Sequence, residues 1–153
     1  MSTRLITLTL LILFSPSLWA QDKAISDFDN VAMDRAMQEA RATIDDLLRR
    51  VESGSVKKYN IKAPVVDVNG TEYFWLSDVT FTDGVFKGKI DNDPNIVKTV
   101  NIGEFMTIKK DKISDWMFMR DGKIYGNRTL RVLLPTMDKA ESDKLKKMLA
   151  PLK

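Results

Sequence analysis

The 153-residue sequence contains neither cysteine nor histidine. Without cysteine, the chain has no disulfide, no thiol nucleophile and no thiolate metal site. Without histidine, it lacks the commonest general base and the commonest protein ligand for zinc, copper and iron. An enzyme built from this sequence would have to use carboxylates, lysine, tyrosine or serine, and we expect neither a metal nor a cofactor.

The sequence also has little excess of either charge, because 24 lysines and arginines are balanced by 21 aspartates and glutamates. The formal net charge of +3 falls to +2 if Arg4 is removed with a leader segment. Basic and acidic residues alternate along the chain, which is typical of a solvated, mixed surface. We therefore expect no nucleic acid among the partners.

A long apolar run occurs only near the N-terminus, where LITLTLLILF covers residues 5–14. The run is too short to cross a membrane as a helix, but it has the length of a signal-peptide core. Ala20 is a small residue at the expected cleavage position. The sequence thus predicts a signal peptide over residues 1–20 and a single periplasmic or secreted domain over residues 21–153, with no membrane span after processing. An uncleaved anchor or a buried N-terminal helix is the alternative.

Both ends of the predicted domain have a helical pattern. Apolar residues recur at three- and four-residue steps from Ser26 to Ser53, which predicts one amphipathic helix. Asp27 or Asp29 can cap its start, and Gly54 can end it. MDKAESDKLKKMLAPL, residues 137–152, predicts a C-terminal helix.

Between these helices the apolar period changes to two, which predicts short strands. Turn signals that favour hairpins separate them: Asn69-Gly70, Asp83-Gly84 and Asp121-Gly122. We predict an α+β domain in which the N-terminal amphipathic helix packs on a curled antiparallel sheet, or partial barrel, of five to six strands, followed by a C-terminal helix. Pro64 suggests that the first strand lies at an edge. KIYGNRTLRVLL, residues 123–134, mixes strand and helix signals, and we interpret it as a strand, although residues 129–134 could also be helical.

Four blocks of sequence resemble a known family in their order and spacing: WLSDV (75–79), GVFKGKIDNDP (84–94), ISDW (113–116) and YGNRTLRVLL (125–134). They resemble the YegJ-like family, a widespread bacterial domain of unknown function. The resemblance implies this fold and a binding module of the envelope or cytoplasm, but no reaction. It places the family's characteristic residues at Trp75, Gly88, Asn92, Pro94, Gly103, Asp115, Trp116, Gly126, Thr129 and Arg131. One departure is Gly126-Asn127-Arg128, where such proteins often have two glycines before an aromatic residue.

Asp115 and Trp116, together with Arg131, are the residues to which we assign binding. Neighbours in a strand point to opposite faces, so an inward Trp116 would leave Asp115 at a rim, where Arg131 could pair with it. We call this predicted feature the Asp115 notch. Thr129, Asn92 and Trp75 complete the predicted binding residues. The structural alternative is that Asp115, Arg131 and Thr129 only hold the last two strands in register.

Two other patterns suggest chemistry but are incomplete. DNDPN, residues 91–95, begins like a calcium loop, yet Ile96 stands where the loop needs glycine and Ile102 where it needs glutamate. Asp78, Asp115 and Glu72 could supply a carboxylate pair for glycoside hydrolysis.

We therefore predict an exported, non-enzymatic binding module whose partner is an unknown envelope or secreted protein. One version is an immunity or inhibitor protein that protects the envelope from a toxin or a lytic enzyme. The alternatives are a small carboxylate-based envelope hydrolase and a sensor of a small ligand.

Overall fold

The structure, a computed structural model, describes residues 29–152. The predicted signal peptide, residues 1–20, and the predicted helix start at Ser26 lie outside the described residues. No helix within the described range is long and apolar enough to cross a membrane.

Two consecutive helices cover the predicted N-terminal helical segment: α1 (Asn30–Ala42) and α2 (Ile44–Glu52). Asp29 caps α1, because its carboxylate accepts hydrogen bonds from the N–H groups of Val31 and Ala32. The structure divides the helical segment at Thr43, whose hydroxyl donates to the carbonyl of Glu39 at 2.7 Å. Such a bond from a β-branched side chain to its own helix bends the chain.

Six strands form one antiparallel sheet in the order β4-β3-β2-β1-β5-β6. They are β1 (Asn60–Asp67), β2 (Gly70–Thr82), β3 (Val85–Ile90), β4 (Phe105–Lys109), β5 (Asp115–Arg120) and β6 (Lys123–Gly126). Two helices follow, α3 (Arg128–Leu133) and α4 (Lys139–Met148). The predicted α+β class, with a helix at each end of a curled antiparallel sheet, is confirmed.

The first strand lies inside the sheet, so its predicted edge position is wrong. β5 pairs with β1 only from Asn60 to Lys62. The carbonyl of Lys62 accepts a hydrogen bond from the N–H of Ser114, so the backbone groups of Lys62 point towards β5. Backbone groups alternate in direction along a strand, so those of Pro64 point to the same side. Pro64, two residues further on, is therefore tolerated because its nitrogen points past the end of β5.

The sheet curls around the first two helices. Phe86 of β3 and Trp116 of β5 belong to one buried cluster with Ala40, Ile44 and Leu47 of the helices. These two strands are separated by β2 and β1 in the sheet, so only a curved sheet brings both against the same helices. On the opposite face, a second cluster forms where Trp75, Met117 and Ile124 pack against Met148 and Leu149.

Residues 128–133 form a helix, so the predicted strand over residues 129–134 is wrong. The chain leaves the sheet because Gly126 and Asn127 both have positive φ angles, 79° and 49°. Asparagine is among the few residues that adopt this left-handed conformation readily. Gly126 and Asn127 therefore supply the left-handed geometry that turns the chain out of the sheet.

Candidate functional site

Asp115 lies at the start of β5 and has no solvent-exposed surface. Its Oδ1 accepts the N–H of Trp116 at 2.8 Å, and its Oδ2 accepts the N–H and the hydroxyl of Thr129 at 2.7 and 2.8 Å. The predicted rim position of this carboxylate is wrong, because Asp115 is fully buried and Thr129 of α3 binds it. The contact with Thr129 joins the start of β5 to the start of α3.

Trp116 points to the opposite face, as strand alternation predicts, and is also buried. Its indole N–H donates to the carbonyl of Ala40 at 3.1 Å and to the hydroxyl of Thr43 at 3.3 Å. The ring also approaches the backbone of Gly126, where an added Cβ would lie 2.7 Å from ring atom Cε3. Trp116 is therefore a core residue that joins the sheet to the junction between α1 and α2.

Arg131 does not form the predicted pair with Asp115, since no hydrogen bond or ion pair joins these two described residues. Its Nη2 donates instead to the carbonyl of Ala150 at 2.6 Å, which attaches the C-terminal segment to α3. Burial lowers the pKa of Arg131, and the nearby positive charge of Arg128 lowers this pKa further. The guanidinium of Arg128 lies over the Trp116 ring, 5.3 Å from its centroid.

Burial raises the pKa of Asp115 above its ordinary value. The hydrogen bonds from Thr129 and Trp116 and the charge of Lys62 oppose this rise in pKa, because each favours the ionised carboxylate. Lys62 faces Asp115 across the β1–β5 pair, and its ammonium lies 5.6 Å from the centroid of the Trp75 ring. A row of side chains from Asp115 through Lys62 to Trp75 thus crosses three neighbouring strands.

Trp75 and Asn92 are joined through the backbone of β2. The N–H of Trp75 donates to Oδ1 of Asn92 at 2.9 Å, and the carbonyl of Trp75 accepts the N–H of Asp91 at 3.0 Å. Asn92 therefore extends the pairing with β2 beyond the end of β3. Of the predicted binding residues, Asp115, Trp116 and Thr129 form one connected group, Trp75 and Asn92 form another, and Arg131 binds the C-terminal segment.

The three carboxylates considered for hydrolysis have different environments. Glu72 is buried, and its carboxylate accepts the N–H groups of Asn95, Ile96 and Val97 at 2.8 to 3.1 Å. Asp78 is exposed and pairs with Lys89 at 3.1 Å. The two buried acids, Glu72 and Asp115, thus accept hydrogen bonds from the protein's own backbone N–H groups. Residues 29–152 contain no group of three or more acids that could hold a metal ion.

Within the part of the chain that the structure describes, no segment covers one face of β3 and β4, and sequence reasoning did not single this face out. Phe105 is 58% exposed there, with the ammonium groups of Lys87 and Lys89 at 5.3 and 5.6 Å from its ring centroid. Thr107 and Lys109 are exposed on the same face of β4. We refer to these five residues as the Phe105 patch. The alternation of lysines with Phe86, Gly88 and Ile90 along β3 is the signal that could have identified this solvent face.

Comparison with known proteins identifies relatives but no activity. The model of the family described as "Uncharacterized protein conserved in bacteria (DUF2314)" matches residues 30–150. The chain is 43% identical over 119 residues to "Uncharacterized protein YegJ" of Escherichia coli (strain K12), covering 78% of each chain. It is also 33% identical over 70 residues to "Putative ankyrin repeat protein NMB1133/NMB1171" of Neisseria meningitidis serogroup B, covering 46% of this chain and 28% of that one. No solved structure matches the chain. The predicted resemblance to YegJ-like proteins is confirmed.

Proposed function

Since the chain belongs to the DUF2314 family of uncharacterized bacterial proteins, we propose that it is an exported, non-enzymatic module that binds another protein. The observation that carries this proposal is the Phe105 patch. Phe105 stays 58% exposed between two lysines, and aromatic residues are enriched at the cores of protein interfaces.

The geometry of the Asp115 notch favours the structural interpretation of that group. Asp115 is enclosed, and both of its oxygens accept hydrogen bonds from the protein itself. A buried carboxylate with these partners holds β5 against α3 and offers no surface to a partner. The binding role therefore moves from Asp115, Trp116 and Thr129 to the uncovered face of β3 and β4.

The buried carboxylates also favour binding over hydrolysis. A glycosidase needs two carboxyl groups on opposite sides of one substrate bond. Glu72 holds the backbone of residues 95–97, whereas Asp78 lies exposed beside Lys89. An immunity or inhibitor protein needs no such pair, because it acts by covering the active site of a toxin or a lytic enzyme. This version of the proposal rests on the predicted export and on the Phe105 patch.

Capture of a partner tests the binding role. The tagged full chain is incubated with envelope extract and culture supernatant of the producing bacterium, beside Phe105→Ala and Met119→Ala. Met119 is a matched control, because it is a large apolar side chain 43% exposed on a different strand, β5. We expect Phe105→Ala to weaken capture about 30-fold, as an anchoring aromatic residue worth about 2 kcal/mol does. Equal capture by all three proteins would remove the Phe105 patch from the proposal.

Export is tested separately by expressing the full sequence in a bacterium and fractionating the cells. We expect the protein in the periplasm or the medium, with Gln21 as its first residue. Recovery of the intact N-terminus in the cytoplasm would contradict the predicted export and with it the immunity version.

A further inference from the structure

The two edge strands of the sheet, β6 and β4, differ in whether a further segment pairs with them. At one edge, the C-terminal segment covers β6, since Leu149 forms a parallel bridge with Ile124 and the N–H of Ala150 donates to the carbonyl of Ile124 at 2.8 Å. At the other edge, β4 pairs with β3 alone, and no other segment among residues 29–152 pairs with it. An open edge is a template for a further strand.

The outward backbone groups of β4 can be assigned from its contacts with β3. The carbonyl of Glu104 accepts the N–H of Ile90, and the N–H of Lys110 donates to the carbonyl of Gly84. Backbone groups alternate in direction along a strand of an antiparallel pair. The even-numbered residues therefore face β3, and the N–H and C=O groups of Phe105, Thr107 and Lys109 point away from the sheet.

The charges beside this edge indicate the chemistry of the added strand. Lys87, Lys89 and Lys109 lie on the face that carries Phe105, and Asp78 is the acid that pairs with one of them, Lys89. An acidic segment complements this surface. A second copy of the chain would bring like charges together in an edge-to-edge pair. A nucleic acid has no alternating peptide N–H and C=O groups with which to continue the ladder.

We propose that the open edge of β4 receives an extended, acidic segment of the partner protein by strand addition, with Phe105 packing against one of its side chains. The proposal rests on the proposed binding function and names its mode. In such complexes the backbone hydrogen bonds supply affinity, while alternate side chains supply specificity.

The first test uses a defined probe, a short peptide of alternating glutamate and valine, with the alternating lysine and valine peptide as its control. Binding is followed by NMR on the isotope-labelled full chain. We expect only the glutamate peptide to shift the amide signals of Phe105, Thr107 and Lys109 and to slow their hydrogen exchange. Equal effects of both peptides, or shifts confined to other strands, would overturn the proposal.

A proline variant tests the backbone contact itself. Thr107→Pro removes one outward N–H without touching the β3 ladder, and Thr107→Ala keeps that N–H and is the matched control. We expect Thr107→Pro to weaken binding of the glutamate peptide at least tenfold and Thr107→Ala to leave it within twofold. If Thr107→Pro unfolds, as judged by circular dichroism, Lys87→Glu with Lys109→Glu provides the second test. This double variant should also weaken binding of the glutamate peptide at least tenfold.

The same variants separate this mode from the binding function. A partner that is captured by wild type and Thr107→Pro alike, but lost by Phe105→Ala, would overturn strand addition and leave the binding module standing. Light scattering that shows a dimer of the wild type and a monomer of Thr107→Pro would assign the edge to a second copy instead. Competition by single-stranded nucleic acid with the glutamate peptide would equally overturn the choice of a protein segment.

Discussion

Thr129 donates two hydrogen bonds to one oxygen of Asp115, from its backbone N–H at 2.7 Å and from its hydroxyl at 2.8 Å. The two residues are separated by the whole β5–β6 hairpin in the sequence. Their contact joins the first residue of β5 to the first turn of α3. A buried carboxylate is costly unless its oxygens are satisfied, so this contact also makes the burial of Asp115 possible.

Thr129→Val should destabilise the protein by about 2 kcal/mol, because it removes the hydroxyl donor while keeping the backbone donor and the side-chain shape. Thr129→Ser is the matched control and should retain most of the stability, since it keeps the hydroxyl. Urea unfolding at neutral pH measures both free energies. If Thr129→Val had the same free energy of unfolding as the wild type, the hydrogen bond from the hydroxyl to Asp115 would make no net contribution to stability.

Asp115→Asn should change the pH dependence of stability in one direction. The pKa of Asp115 is raised in the folded protein above its ordinary value of 3.8, so the folded state holds this proton more tightly than the unfolded state. The contribution of Asp115 to stability is therefore highest below pH 3.8 and is lost as pH rises through the folded pKa. Asparagine does not titrate, so the stability deficit of the variant relative to wild type should be largest at acid pH and shrink towards neutrality.

Urea unfolding of wild type and Asp115→Asn over a pH series measures this difference. Taking the difference cancels acids whose pKa values shift the other way, such as Asp67, whose pKa is lowered by the backbone N–H of Lys98. A deficit that grows with rising pH would contradict the raised pKa of Asp115.

Gly126→Ala should be strongly destabilising, by about 3 kcal/mol or more. An added Cβ would lie 2.3 Å from the carbonyl oxygen of Trp116, and the positive φ adds a cost of about 1–2 kcal/mol. Gly122→Ala is the control, because Gly122 also has a positive φ but no atom within 4 Å of the added Cβ. Thermal unfolding of both variants separates the cost of the close approach from that of the backbone angle, and equal losses would contradict the close packing.

Glu72→Gln should loosen the segment that follows β3. Glutamine is uncharged, so the charge-assisted hydrogen bonds from the N–H groups of Asn95, Ile96 and Val97 become weaker, and its NH2 group replaces the oxygen that also accepts the N–H of Asn95. We expect a cost of about 1–3 kcal/mol. Hydrogen exchange of these three amides should quicken at least tenfold. Glu52→Gln, on an exposed position of α2, is the control and should leave the exchange unchanged.

The elements that were predicted correctly depend on local pattern. The change from a helical period to a period of two marks the sheet, and the turns at Asp83-Gly84 and Asp121-Gly122 connect paired strands as expected. Both residues of each turn have positive φ, which aspartate and glycine tolerate. Such signals depend on a few neighbouring residues, so they can be recognised without knowledge of the rest of the fold.

The elements that were predicted incorrectly depend on contacts between distant segments. Residues 128–133 carry both strand and helix signals. They form a helix because the positive φ angles of Gly126 and Asn127 turn the chain out of the sheet. Arg131 finds its partner in Ala150, on a segment that follows a further helix. Phe105 is exposed because no helix among residues 29–152 packs on that face of β3 and β4.

By itself, the sequence determined the class of the fold, the positions of the turns, the family and the absence of thiol and imidazole chemistry, because these follow from composition, period and motif. The tertiary structure alone decided which faces of the sheet are covered. Strand alternation correctly placed Asp115 and Trp116 on opposite faces, yet both are buried. α1 and α2 pack on the face of Trp116, whereas Thr129 of α3 binds Asp115, and Met148 and Leu149 pack on its face of the sheet. Burial is a property of the segments that pack on a residue, and those segments lie far from it in the chain.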